Sequence, residues 1–300
     1  MKSGFPIRCR STAFTLLDAM LAVGLLSVMV VFVTQMVGGV GTTITASGKH
    51  MSAESQARMI FDRMAADFGK MVQRSDVDYC FLKQTDNDRF FFYSEAPAYS
   101  DSGTNTTSKS PVGLIGYQIN SQLQLERLGM QLDWEGTPNE TATPPVAGSM
   151  ACVVVTGSNT VDTQTTIAGR WPKTLNADSS SVNDFHVIGD QVYRMEFCFL
   201  LKDGTWSDNP YLPSSSVKRF CIKDVAGISV TLALLDTGSR IITKDTTRMV
   251  SALPDVDAAT NTGSIAKAWM QSAYLTQSGI PKAAASNIRI YQRCFYLNHP

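Results

Sequence analysis

Residues 14–37 read FTLLDAMLAVGLLSVMVVFVTQMV, from Phe14 to Val37, and carry one charge, at Asp18. Wound as a helix, these 24 residues span roughly 36 Å, enough to cross a hydrocarbon layer about 30 Å thick. The segment before them, residues 1–13, holds Lys2, Arg8 and Arg10 and no acid. Basic residues are retained on the cytoplasmic side, so this pattern predicts an N-terminus inside and the remainder of the chain outside. A cleaved secretory signal has an apolar core of about 7–15 residues followed by a small-x-small site. This run is longer, and the basic leader abuts it directly. An uncleaved signal anchor is one reading; the other gives Asp18 a task. A carboxylate in such a span costs about 2.5–3.5 kcal/mol, which marks Asp18 as a functional position.

Downstream, Gly38, Gly39 and Gly41 weaken a helix by about 1 kcal/mol each and predict a flexible stretch after the span. Helical periodicity returns in MSAESQARMIFDRMAADFGKMVQ, where Ala53, Ala57, Ile60, Phe61, Met64, Phe68, Met71 and Val72 form one apolar stripe. The opposite face, with Glu54, Arg58, Asp62, Arg63, Asp67 and Lys70, reads as solvated. Residues 38–76 are thus an amphipathic continuation of the helix, with its stripe set to dock on a sheet.

Residues 77–300 change to period-2 segments between polar loops and read as a β-rich head. Strands are predicted at 79–83, 89–95, 113–120, 122–128, 151–156, 191–201, 227–235 and 287–297. Phe90, Phe91, Phe92 and Tyr93 alternate across both faces of one strand, which predicts burial on both sides. A helix is predicted from Ser264 to Ser278, with Ser264 as N-cap, Ile265, Ala268, Trp269 and Leu275 buried, and Gly279 and Pro281 as its stop. The fold class is α+β.

The composition narrows the function. With 26 Lys+Arg against 26 Asp+Glu, no charge excess points to a nucleic-acid partner. His50, His186 and His299 lie far apart, and no HExxH, GxSxG, P-loop or dinucleotide glycine pattern occurs. The reading is therefore of a non-enzyme with no cofactor and no metal. The run Asp86-Asn87-Asp88, with Asp76 and Asp78 nearby, lacks the spaced ligands and terminal Glu of a calcium loop and reads as a turn. Beyond Cys9 of the leader, Cys80, Cys152, Cys198, Cys221 and Cys294 are dispersed and odd in number. They read as small buried hydrophobes, a Cys198–Cys221 bridge being the exception that neighbouring strands would allow.

The stretch Ser11-Thr12-Ala13-Phe14-Thr15-Leu16-Leu17-Asp18 resembles the prepilin-type cleavage and methylation motif of type IV pilins and type II secretion pseudopilins. The resemblance implies processing by a prepilin peptidase after Ala13, methylation of Phe14 as the new first residue, and pairing of Asp18 with the terminal amine of a neighbouring subunit. Ala13 stands where the family usually has Gly, and Asp18 where it has Glu; these departures suit a minor subunit. Further on, ARMIFDRMAADF, RFFFYSE, YRMEFCFLLKDGTW and DVAGISVTLALLD resemble minor pseudopilin J of type II secretion. SDVDYCFLK, SPVGLIGYQI, LERLGMQLDW and IRIYQRCFYLN are similar to the type C pilin-like cassette proteins of verrucomicrobial bacteria. These resemblances imply a pilin-like fold with the long helix laid on an antiparallel sheet, an inner-membrane anchor with a periplasmic head, and other pilins or pseudopilins as partners. A signal-anchored extracytoplasmic binding or adhesion protein, never assembled into a filament, is the alternative.

Overall fold

The computed structural model describes residues 15–73, 79–96, 112–131, 185–210, 222–243, 246–271 and 280–297. The chain divides into two units, one up to Met51 and the other from Ser52 onward.

Helix α1, Leu16–Phe68, begins behind a reciprocal cap. The Asp18 carboxylate accepts from Thr15 Oγ1 at 2.8 Å and from Thr15 N at 3.3 Å, and Thr15 Oγ1 accepts from Asp18 N at 3.4 Å. These bonds occupy amides that the first turn leaves without helical partners. The backbone stays helical through Gly38, Gly39 and Gly41, so the predicted flexible stretch is absent. Each glycine costs about 1 kcal/mol of propensity, which a helix already nucleated on both sides of the gap absorbs without breaking. The helix stops at Phe68, earlier than the predicted residue 76. There the chain turns onto a strand: Val72 N donates to Tyr93 O at 2.8 Å and Glu95 N to Lys70 O at 3.0 Å.

In the second unit the described strands form two antiparallel sheets. One has the order β1-β2-β3-β4-β5, made of Tyr79–Leu82, Arg89–Ser94, Gly113–Ile119, Leu125–Gln131 and Phe185–Gly189. The other has the order β7-β6-β8-β9, with β6 Val192–Leu201, β7 Trp206–Ser207, β8 Val225–Leu234 and β9 Arg289–Tyr296. The stripe on α1 lies across both. The Phe68 ring is 5.1 Å from that of Phe92 and 6.1 Å from those of Phe90 and Tyr117 in the first sheet, and 5.3 Å from Phe295 on β9. Burying such a side chain contributes about 1.5–3 kcal/mol, so Phe68 is a principal tie between the sheets. Ala53, Ala57, Ile60, Phe61 and Met64 join the same core.

Phe90, Phe91, Phe92 and Tyr93 are all buried, as their pattern predicts. Phe91 reaches the far face of β2 by lying on Gly116 of β3, where a Cβ would come within 2.1 Å of its ring. The outer face of the second sheet carries Arg194, Glu196 and Cys198 under a cover formed by residues 249–269. That cover includes the short helices α3, Thr246–Ser251, and α4, Ile265–Trp269. Helix α2, Thr237–Ile242, precedes it, capped by Asp236, and α5, Lys282–Ala285, follows it.

Several predicted elements shift. The helix expected from Ser264 to Ser278 is helical over Ile265–Trp269; Ser264 sits at its N-cap position with no side-chain cap bond. Its predicted Ile265, Ala268 and Trp269 are buried, while Leu275 lies outside the described residues. The strand expected at 122–128 is Leu125–Gln131, because Asn120 to Gln124 make the turn, with Leu123 at φ 55°. Asn120 Oδ1 accepts from the amides of Gln122 and Gln124 and fixes it. Strand β5 and helices α2, α3 and α5 were not expected, and the strand expected at 151–156 lies outside the described residues.

Candidate functional site

The apolar half of α1 is the candidate site. Among the described residues Leu16–Val40 is the one stretch of helix long and apolar enough to cross a membrane. Its Leu, Val, Met and Phe side chains are 55 % to 80 % exposed among the described residues. The hydroxyls turn inward: Ser27 Oγ donates to Val23 O at 2.8 Å and Thr34 Oγ1 to Val30 O at 2.7 Å. That pairing removes their cost in an apolar medium. Asp18 is then the one ionisable group between Leu16 and Val40, and it lies in the first turn. Ala13 and Phe14, the predicted processing residues, lie outside the described residues.

The head half of α1 carries an ionic contact that periodicity misassigns. Asp67, expected on a solvated face, is fully buried. Its carboxylate accepts from Arg127 Nε at 2.6 Å and Nη2 at 3.0 Å, and from the Tyr117 hydroxyl at 2.5 Å, while Arg63 lies 3.8 Å away. Bidentate pairing of this kind supplies both strength and geometry. Burial, and then the Asp67 charge, hold the Tyr117 hydroxyl well above its ordinary pKa, so it stays a donor. The three groups lock the rotation of α1 on β3 and β4.

A second polar cluster closes the seam between the sheets. Among the described residues β7 covers β6 only at Phe199 and Leu200, and no described strand pairs with the first half of β6 on that side. The turn between β1 and β2 covers it with side chains instead of a strand. Asn87 Oδ1 accepts from Met195 N at 2.9 Å and Asn87 Nδ2 donates to Tyr193 O at 3.4 Å. Asp88 Oδ2 accepts from Phe197 N at 2.9 Å and Asp88 N donates to Met195 O at 3.3 Å. Thus Asn87 and Asp88, read as a turn, also serve as a seam. Behind them Lys83 Nζ stands 3.0 Å from Glu196 Oε1 and 3.5 Å from Asp88 Oδ2. Arg194 Nη2 meets Asp255 at 2.5 Å and Glu196 at 3.8 Å, with its guanidinium carbon 5.4 Å from the centre of the Trp269 ring.

Burial would depress the Lys83 pKa, but the charges of Asp88 and Glu196 outweigh it and hold the ammonium above its ordinary range. Burial pushes the Asp88 carboxyl up to about 6 and that of Glu196 to about 7, each opposed by Lys83. Among the described residues no group of three or more His, Cys, Asp and Glu side chains is placed to hold a metal ion. Cys198 is a buried thiol, and Cys221, its expected bridge partner, lies outside the described residues. Cys198 Sγ donates to Gly263 O at 3.7 Å, a partner 65 residues away that strand neighbourhood does not suggest, and burial pushes its pKa to about 12. His186 is exposed on β5 and His50 half-buried on α1, far apart in sequence and in different units; His299 is not described.

No family model matches this chain, and no curated protein does. Among solved structures the chain is similar to a type IV-like pilin from Thermus thermophilus, with 11 % sequence identity and a TM-score of 0.32 over 82 % of this chain and 93 % of that one.

Proposed function

We propose that this chain is a membrane-anchored, pilin-like assembly subunit: a minor pilin or pseudopilin of a type II secretion or type IV pilus-like machine. In this reading a prepilin peptidase cuts between Ala13 and Phe14, the helix stays in the inner membrane with the head in the periplasm, and the role is structural instead of catalytic. One observation carries it: the apolar half of α1 exposes its large side chains all round and bears one carboxylate, in its first turn. A rod of that kind needs a hydrocarbon or protein surround, and a carboxylate inside either needs a cation. The terminal amine of a processed neighbour supplies one. The basic leader and the motif from Ser11 to Asp18 support the same reading.

The second reading, a signal-anchored binding or adhesion protein that does not assemble, is favoured by the cap at the helix start. Thr15 already donates to Asp18 within one chain, which lessens the carboxylate's need for a partner. Terminal mass spectrometry of the protein from membranes that contain prepilin peptidase separates the two. The expected product begins at methylated Phe14, and a chain beginning at Met1 overturns the proposal. In the same cells Asp18→Ala is expected to be cut normally and to lose co-purification with partner subunits. Undiminished co-purification would remove Asp18 from assembly.

A further inference from the structure

The seam between the sheets gathers more acid than base. Around the carboxylates of Asp88 and Glu196 stand two cations, Lys83 from the end of β1 and Arg194 from β6. Two further carboxylates face the same groups: Asp208, just after β7, and Asp255, in the segment after α3, with Asp257 beyond them at the surface. Were every group charged, the four inner acids would confront two bases. Asp88 and Glu196 are the fully buried pair among them; both contact the Lys83 ammonium, and the second cation, Arg194, is shared between Glu196 and Asp255. Like charges that outnumber their counter-ions away from water titrate as a unit, with one proton retained above the ordinary carboxylate range.

Of the four carboxylate oxygens of the pair, three accept hydrogen bonds and one does not. Asp88 Oδ1 accepts from Gln84 N and Oδ2 from Phe197 N, and Glu196 Oε1 accepts from Lys83 and from Val256 N. Glu196 Oε2 is buried without a hydrogen-bond donor, and Thr231 Oγ1 is buried without a partner. The charged group nearest to Oε2 is Arg194, whose Nη2 stands 3.8 Å away, beyond hydrogen-bond reach.

We propose that the folded head binds a proton shared by the buried Asp88–Glu196 pair. The upward displacement of both carboxyls by burial agrees with this placement. Between the ordinary range and about 7 the folded state holds a proton that the unfolded chain has released. This site's contribution to stability therefore falls as pH rises through that window. Acidification tightens the joint between the two sheets, the reverse of the usual behaviour of paired carboxylates. The inference stands whether or not the chain is assembled or processed.

The test is urea unfolding of the full-length protein in detergent micelles, followed by tryptophan fluorescence at pH 5.5 and pH 8.0 and constant ionic strength. Glu196→Gln keeps Oε1 for Lys83 and Val256 and removes one of the two titrating carboxyls. It is expected to be at least as stable as the parent at pH 8.0. It is also expected to lose about tenfold or more of the parent's pH-dependent change in folding constant, tenfold per unit of displaced pKa. An unaltered pH dependence in Glu196→Gln, or equal destabilisation at both pH values, overturns the proposal. If that variant fails to fold, carboxyl-carbon NMR of the parent decides. A glutamate resonance titrating between about pH 6 and 7.5 supports the site, and titration of every glutamate below about pH 5 overturns it.

Discussion

Asp67 carries the tightest polar demand in the head. It is fully buried, and its partners Arg127 and Tyr117 are themselves enclosed. Removing one member of such a group leaves the other charged and without solvent, at about 3–5 kcal/mol. Asp67→Ala is expected to destabilise the head by that amount in chemical denaturation. Arg127→Met added to it is expected to recover part of the loss, because the stranded guanidinium is then gone; a simple sum of two losses would show that the pair is not coupled. Neither the depth nor the partner of Asp67 was legible in the sequence. Arg127 lies 60 residues away on β4, and at helical spacing Asp67 falls beside Phe68 with Arg63 and Lys70 around it, a pattern that reads as solvated surface.

The elements that were legible are those whose own side chains decide their state. The alternation of Tyr193, Met195, Phe197 and Phe199 marks β6, and the four aromatics from Phe90 mark a strand covered on both faces. The apolar stripe from Ala53 to Phe68 marks the docked half of α1. What failed was decided by neighbours. Helix α1 runs through three glycines because intact helix on either side carries it, and β5 forms because β4 offers an edge to a segment of weak pattern, FHVIG. The same distinction governs the seam. Asn87 looks like an ordinary turn residue, yet it satisfies Met195 N and Tyr193 O on the β7 side of β6. Asn87→Ala strands both groups in a buried place, each at about 1–3 kcal/mol. Its expected signature is faster amide exchange at Met195 with an undisturbed β6–β8 ladder; unchanged protection there would show that the edge is closed by something else.

For the whole molecule, the core begins at Ala53, and every buried residue of the hydrophobic cluster lies in the second unit. The first unit contributes an apolar helix and the single carboxylate of Asp18 to the described structure. Removing residues 1–51 is therefore expected to yield a soluble head that unfolds cooperatively, with unchanged near-ultraviolet circular dichroism per tryptophan. A molten or aggregated product would mean that the span stabilises the head directly.

The seam has a consequence for how the molecule is made. Asn87 and Asp88 find their partners on β6, 106 to 109 residues later in the chain. A ribosome adding about 5–20 residues per second separates the two by roughly 5–20 s. During that interval β1, β2 and β3 have been synthesised while the strand they close against has not. Contacts this distant in sequence form late and slowly. Until residue 201 has been added, Phe81 and Phe90 therefore lack the Phe197 and Phe199 rings that they pack against in the folded head.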